Sequence, residues 1–305
     1  MNNLKELIKK INIEGKICFN EPMSGHTTLK IGGPAEIFIE PSTIVDLEKL
    51  YSCCTREQIP WFVLGAGANI LVADRGIRGV VISLARLNAI IIEGNLVRAG
   101  AGAAISDVAL AAADRGLSGL EFIYAMPGSV GGAIYMNARC YDNEMADVLT
   151  TVEIISSEGR NSVPADKKAF GYKISPFQKQ DAIITGGTFR LTPGDPARSR
   201  ATMESIKKDR EAKGHFLFPS AGSVFKNNRA FGKPTGVLLD NLGFKGCAVG
   251  DACVLEQHAN IFVNKGGARA HEIYALMQLA LEKIKAAYGY ELESELILVG
   301  EWEQD

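Results

Sequence analysis

The stretch FVLGAGANILV, residues 62–72, constrains this chain more than any other. An apolar run enters a turn holding Gly65 and Gly67, and a second apolar run leaves it. Short apolar runs bounded by glycine read as strand, turn, strand. Successive backbone N–H groups in such a turn form a concave seat for an anion. A Rossmann fingerprint would need G-x-G-x-x-G leaving a strand and opening a helix. Here the third glycine position holds Ile70, and β-forming residues and an Asp74–Arg75–Gly76 turn follow. The chain therefore departs from that fingerprint. Taken alone, the turn reads as well as a structural corner.

A second glycine-rich segment changes the balance. PGSVGGAIYMN, residues 127–137, places Pro127, Gly128, Gly131 and Gly132 close together among apolar residues. That density implies backbone packed against something flat or against a neighbouring strand. Two such turns in a β-rich frame suggest a nucleotide lying extended between two walls.

Charge removes other classes. The chain has 305 residues, with 33 basic and 35 acidic side chains and a formal net charge of −2. Nothing there favours a nucleic acid partner. The N-terminal MNNLKELIKKINIEGK carries Lys5, Glu6, Lys9 and Lys10 where a signal peptide would be apolar. Leu4, Leu7, Ile8 and Ile11 fall at helical spacing instead. No uncharged apolar stretch is long enough to span a bilayer, so no membrane partner is expected. Cys18, Cys53, Cys54, Cys140, Cys247 and Cys253 form no C-x-x-C pair, which predicts free thiols in a reducing cytoplasm. His26, His215, His258 and His271 lack zinc spacing, and no metal is expected.

The remaining pattern predicts strands around a Gly32–Gly33–Pro34 turn within 25–41 and a helix over 42–56 capped by Ser42. It predicts a helix over 103–116 stopped at Gly116, and strands in TVEIISSEG and DAIITGGTFRLT. A charged helix over 197–214 leads to a loop, a helix near 230–243 and a β run over 258–264. A long helix over 268–287 follows, striped by Ile273, Leu276, Met277, Ala280, Leu281 and Ile284, and a strand over 295–302 ends the chain. The class is α+β, with an extra lobe inserted before the last strand.

The strings HTTLKIGGPA, VLGAGANILV, PGSVGGAIYMNA, FGYKISPF, PSAGSVFKN, HANIFVN and LESELILVGE stand in this order over about residues 20–305. Together they closely resemble the UDP-N-acetylenolpyruvoylglucosamine reductase (MurB) family of bacterial peptidoglycan synthesis, in its shorter second type. The resemblance implies a two-part FAD-binding domain of the vanillyl-alcohol-oxidase type over 1–200. Its subdomains would be about 1–55 and 56–200, completed by 290–305. A substrate-binding domain would span 201–289. It also implies FAD as cofactor, NADPH as co-substrate, a UDP-sugar enolpyruvyl ether as substrate, and a cytoplasmic monomer.

The resemblance also distributes roles. Leu64, Gly65, Ala66, Gly67, Ala68 and Asn69 match the turn that holds the FAD pyrophosphate. Pro127, Gly128, Ser129, Gly131, Gly132 and Asn137 match the wall beside the flavin and adenosine. The implied reaction sends hydride from flavin N5 to the substrate alkene and draws charge toward the substrate carboxylate. Ser223 matches the proton donor, and Glu295 matches the carboxyl that stabilises the enolate. A carboxyl group beside an enolate helps only in its protonated form. By period two alone Glu291, Glu293 and Glu295 are equivalent, and the resemblance selects Glu295. Lys173 stands where the family usually has arginine; it keeps the charge and loses the planar fork. Tyr172, Lys226, Asn227 and His258 match substrate-side positions, and Arg139 is a second departure with no assigned role. Two other readings stay open: a flavin oxidase with covalently tethered FAD, and a nucleotide-binding protein that has lost catalysis.

Overall fold

The computed structural model describes residues 2–302, and the chain divides into two compact units. One joins residues 1–20, 36–66 and 79–207; the other joins 21–35, 67–78 and 208–305. The first strands are β1 (Gly15–Pro22), β2 (Pro34–Pro41), β3 (Trp61–Leu64), β4 (Ile70–Val72), β5 (Ile77–Ser83), β6 (Ile90–Glu93) and β7 (Leu96–Gly100). Among the described residues, no helix is long and apolar enough to cross a membrane.

In the first unit, a four-stranded sheet runs β1-β2-β5-β3. Helix α1 (Asn2–Lys10) lays Leu4, Leu7 and Ile8 on the core that α2 (Ile44–Arg56) shares with β2 and β5, as their helical spacing predicted. The α2 cap differs from the expectation. Thr43 is the capping residue, its hydroxyl accepting the Asp46 N–H at 3.1 Å. Ser42 lies in the bend after β2, donating its N–H to the Glu14 carbonyl and accepting Arg86 on its hydroxyl. A five-stranded sheet orders Gly159–Pro164, Leu149–Ser156, Ile183–Arg190, β7 and β6. Helix α3 (Ile105–Asp114) follows β7, and its chain turns away at Gly116 with φ +68°, as expected.

The glycine segment hides a helix that the periodicity did not reveal. Val130–Tyr135 forms α4, capped by Ser129, whose hydroxyl accepts the Gly132 N–H at 3.4 Å. Six residues with two glycines show no amphipathic period to read. The glycines let α4 lie flat on its sheet. A Cβ on Gly131 would stand 2.9 Å from Ala101 Cβ, and one on Gly187 would stand 2.6 Å from Ile134 Cδ1. This is the close approach that the glycine density implied.

In the second unit, a sheet orders Ser220–Ser223, Ile261–Asn264, Ala252–Val254 and Ala248–Val249. Helix α5 (Pro196–Ala212) leads into it, and α6 (Thr235–Asn241) is shorter than expected because Pro234 occupies its cap position. Helix α7 (Ala270–Tyr288) buries Ile273, Leu276, Met277, Ala280 and Ile284 against Phe225, Phe262 and Leu71. Residues 25–33 form no strand. They loop so that Gly33 donates to Ala73 at 3.0 Å and Thr28 to Gly67 at 3.1 Å. The closing strand is only Ile297–Val299, paired in parallel with β4.

Asp74, just beyond β4, holds the start of α7. Its carboxylate accepts the Ala270 N–H at 3.0 Å, the His271 N–H at 3.1 Å and His271 Nδ1 at 2.8 Å. Burial alone would raise its pKa, but these hydrogen bonds and Arg269 outweigh burial and lower it. The depressed folded value means that this stabilisation is present above the unfolded carboxylate pKa and is lost as pH falls through the folded one. Asp74→Ala is therefore expected to cost about 1–2 kcal/mol at pH 7, the range for a lost helix-capping side chain. The gap to the unsubstituted protein narrows as pH drops below 4. Thermal unfolding at pH 7 and pH 3 checks this, and a gap independent of pH refutes it.

Candidate active site

The turn between β3 and β4 is not a hairpin. β3 pairs with β5, and β4 pairs with Ile297–Val299, so the two runs belong to different sheets. The first unit ends at Ala66 and Gly67 begins the next segment. Gly67 has φ +63°, and a Cβ there would overlap the His26 carbonyl oxygen. A Cβ on Gly65 would overlap Ser129 Oγ. Among the described residues, the N–H groups of Gly65, Ala66, Gly67, Ala68 and Asn69 meet no acceptor in the protein. Backbone donors left over in this way are satisfied by solvent or by a ligand. A run of them suits phosphate oxygens, so the turn fits a pyrophosphate. Leu64, which leads into it, is itself buried in the core.

The segment 127–137 offers backbone rather than side chains. Pro127 and Gly132 are exposed, and the Gly128 and Ser129 N–H groups also meet no acceptor among the described residues. Ser129 is only 4% exposed, and Gly131 is packed on Ala101. Asn137 is fully buried and spends its carboxamide inside the protein. Its Nδ2 donates to the Gly171 carbonyl at 2.9 Å, and its Oδ1 accepts the Ala146 N–H at 3.1 Å.

That first bond fixes the loop carrying Tyr172 and Lys173. Gly171 bridges Ile174, and between them Lys173 adopts φ +60°, a conformation most side chains avoid. Ser175 Oγ donates to the Tyr135 carbonyl at 2.7 Å. Gln178 Nε2 reaches both that carbonyl, at 2.9 Å, and Lys173 O, at 3.0 Å. These bonds hold a backbone that would otherwise relax, and such held strain concentrates at functional sites. Lys173 Nζ lies 6.0 Å from the centre of the Tyr172 ring, and Tyr172 is 38% exposed.

Ser223 and Glu295 lie together in the second unit. Ser223 ends the strand Ser220–Ser223 opposite Ile261, half-buried, and its hydroxyl meets no partner among the described residues. The neighbouring Val224 carbonyl accepts the Glu295 N–H at 2.8 Å and the Leu296 N–H at 3.2 Å. Glu295 is half-buried, whereas Glu291 and Glu293 are exposed. Residues 291–295 precede the last strand, so the period-two equivalence of these glutamates does not apply. Glu291 pairs with Lys285 at 3.0 Å, and Glu293 pairs with Lys226.

Residues 213–299 match the family described as UDP-N-acetylenolpyruvoylglucosamine reductase, C-terminal domain, and residues 35–161 match the FAD binding domain family. A Treponema denticola protein named UDP-N-acetylenolpyruvoylglucosamine reductase is 39% identical over 99% of this chain and 100% of its own length. One of the same name from Caldanaerobacter subterraneus is 37% identical over 99% of this chain and 98% of its own. This chain belongs to the UDP-N-acetylenolpyruvoylglucosamine reductase family. A solved reductase of that name from Thermus caldophilus superposes with a TM-score of 0.80 at 30% identity, over 94% of this chain and 99% of that one. The α+β class is the one the residue pattern predicted, and the FAD-binding domain is the one the resemblance implied.

The other polar positions that match this reductase family are already engaged within the protein. Lys226, three residues beyond Ser223, is paired with Glu293. Asn227 Oδ1 accepts the Thr235 N–H at 2.9 Å at the start of α6. His258 is mostly buried, and its Nδ1 accepts the Asn260 N–H at 3.2 Å. Burial, with Lys213 and Lys245 adding to it, holds the His258 pKa below its ordinary value. It is a neutral imidazole at pH 7. The ring centre of His215 lies 6.4 Å away, and burial with Arg210 pushes the His215 pKa down to about 4.

Asn260, two residues beyond His258, was not singled out from sequence. It is 2% exposed, and its carboxamide brackets Phe225, accepting that residue's N–H at 3.0 Å and donating to its carbonyl at 2.8 Å. Its own carbonyl accepts the Val224 N–H at 2.9 Å. Asn260 thus sets the strand that carries both Ser223 and the Glu295 anchor. A polar residue inside the apolar run HANIFVN was the available signal, since buried carboxamides occur where both ends are bonded.

Proposed function

We propose that this chain reduces UDP-N-acetylglucosamine enolpyruvate to UDP-N-acetylmuramate, a step in bacterial peptidoglycan precursor synthesis, with NADPH as donor. Bound FAD supplies the two-electron relay from NADPH to the substrate alkene. The N–H groups of Gly65 to Asn69 hold its pyrophosphate, and the 127–137 backbone faces the rest of it. Ser223 donates the proton to the carbon next to the one reduced, Glu295 and Lys173 stabilise the enolate, and Tyr172 lies beside Lys173 on the substrate side. Lys226, Asn227 and His258 contact the diphosphate and sugar. The FAD-binding domain is assigned to 1–200 with 290–305, and the substrate-binding domain to 201–289. The protein acts as a cytoplasmic monomer on small molecules.

The observation carrying this reading is the state of Ser223. A hydroxyl is a poor acid and protonates an enolate only when it is already aligned beside it. The Ser223 hydroxyl is half-buried, uncommitted to any described acceptor, and one residue from the carbonyl that anchors Glu295. The test is the absorption spectrum of the purified protein, followed by NADPH absorbance on adding the enolpyruvyl ether. Flavin bands and NADPH loss that depends on substrate are expected. A colourless protein that takes up no FAD, or a yellow one without turnover, refutes the reading.

Lys173→Arg restores two-pronged contact with a carboxylate on the same charge. The expected result is an unchanged or lower KM for the enolpyruvyl ether, with kcat within about threefold, as for a change confined to binding. A severe loss in steady-state assays means that the pocket is built around lysine.

A further inference from the structure

The proposed proton donor and its partner carboxyl are joined to the anion-binding turn through one side chain. Asn69 is the last residue of that turn. Its Nδ2 donates to the Glu295 carbonyl at 2.9 Å, and its own carbonyl accepts the Ile297 N–H at 3.1 Å. Its backbone N–H meets no acceptor among the described residues. Asn69 thus presents one face to an anion and the other to the backbone that carries Glu295.

We propose that Asn69 is a positioning residue for Glu295, setting the carboxyl by way of its main chain, while its role toward FAD is confined to the backbone N–H. The bonds form a continuous line within the second unit. Asn260 fixes Val224 and Phe225, Val224 fixes Glu295 from one side, and Asn69 fixes it from the other. Among the described residues, the segment 291–296 is paired through a single antiparallel bridge, Ser294 to Phe225, so a short ladder holds the chain before Glu295 and the Asn69 side chain holds it after. Its N–H is held by Val224 and its carbonyl by the Asn69 side chain. Removing the carboxamide takes away the bond to the Glu295 carbonyl and lets the main chain that carries the carboxyl shift, and a displacement of an ångström costs on the order of 100-fold at a reacting centre. The main chain of residue 69, and so the anion seat, survives the substitution.

This inference rests on the role assigned to Glu295 above, and the experiment separates the two. Asn69→Ala, Glu295→Gln and the double variant are prepared as holoenzymes. Asn69→Ser, which keeps a donor on a shorter side chain, is prepared in parallel in case the alanine variant does not fold. FAD affinity is read by fluorescence titration of the apoproteins, and the two half-reactions by stopped flow. Expected for Asn69→Ala are FAD affinity and NADPH-driven flavin reduction within about threefold of the unsubstituted protein, and flavin reoxidation by substrate slowed roughly 10- to 100-fold. Asn69→Ser falls between. In the Glu295→Gln background, Asn69→Ala adds no further loss, because residues that act as a unit are non-additive. Three results overturn the proposal: FAD affinity falling in step with reoxidation, losses that multiply in the double variant, or unimpaired reoxidation in Asn69→Ala or, should that variant not fold, in Asn69→Ser. A fully active Glu295→Gln overturns the Glu295 assignment itself, and the inference with it.

Discussion

Ser223→Ala is expected to bleach its flavin with NADPH at the normal rate and to lose about 10³-fold in the rate at which substrate reoxidises it. That loss lies within the range for a removed general acid. The Ser223 hydroxyl carries no structural bond among the described residues, so its removal leaves no buried group orphaned. The register of its strand is set by main-chain pairing with Ile261 and by the bonds of Val224 and Phe225 to Asn260, which alanine keeps. A structural role would show as lower thermal stability with both half-reactions affected; a proton donor affects only the second. Stopped-flow measurement of the half-reactions decides, and reoxidation as fast in the variant as in the parent would end the assignment.

Gly67→Ala is expected to abolish FAD binding and to destabilise the fold by about 4 kcal/mol or more, the range reached when backbone strain and overpacking combine. Two effects add at this position. The backbone is left-handed, at φ +63°, and the new Cβ would overlap the His26 carbonyl oxygen, a main-chain atom that cannot swing aside. The neighbouring Thr28 N–H is bonded to Gly67 O, so relief at one point breaks the other. Gly222→Ala is the control. It also has positive φ, +76°, one residue before Ser223, but a Cβ added there would find no heavy atom within 4 Å. Only the conformational term applies there, about 1–2 kcal/mol. Equal losses of stability in the two variants, measured by thermal unfolding and FAD titration, would show that conformation alone makes Gly67 necessary.

Elements with a long apolar stripe were legible from the chain. Helix α7 buries Ile273, Leu276, Met277, Ala280 and Ile284 as their spacing required, and α1 packs through Leu4, Leu7 and Ile8. Local stop signals also held, as at Gly116. Legibility failed where a short element owes its form to a distant surface. Helix α4 exists because Gly131 can rest on Ala101, a contact that no window around 127–137 contains. Thr43 rather than Ser42 caps α2, while Ser42 is tied to Glu14 by its N–H and to Arg86 by its hydroxyl, contacts that no local window contains.

At the site, seven residue strings in order were sufficient to identify the family, which the matches over nearly the whole chain show. What the chain could not reveal was which polar groups remain available. Glu291, Glu293 and Glu295 are alike as letters, and only folding pairs the first two with lysines and ties the main chain of the third to Val224 and Asn69. Asn137 reads as a ligand and is consumed by Gly171 and Ala146, while Asn260 reads as nothing and organises the strand of Ser223. The physical reason is that hydrogen-bond capacity is finite and is allotted by contacts far apart in sequence. Local composition therefore sets what a residue is able to do, and tertiary structure sets what it has left to do it with.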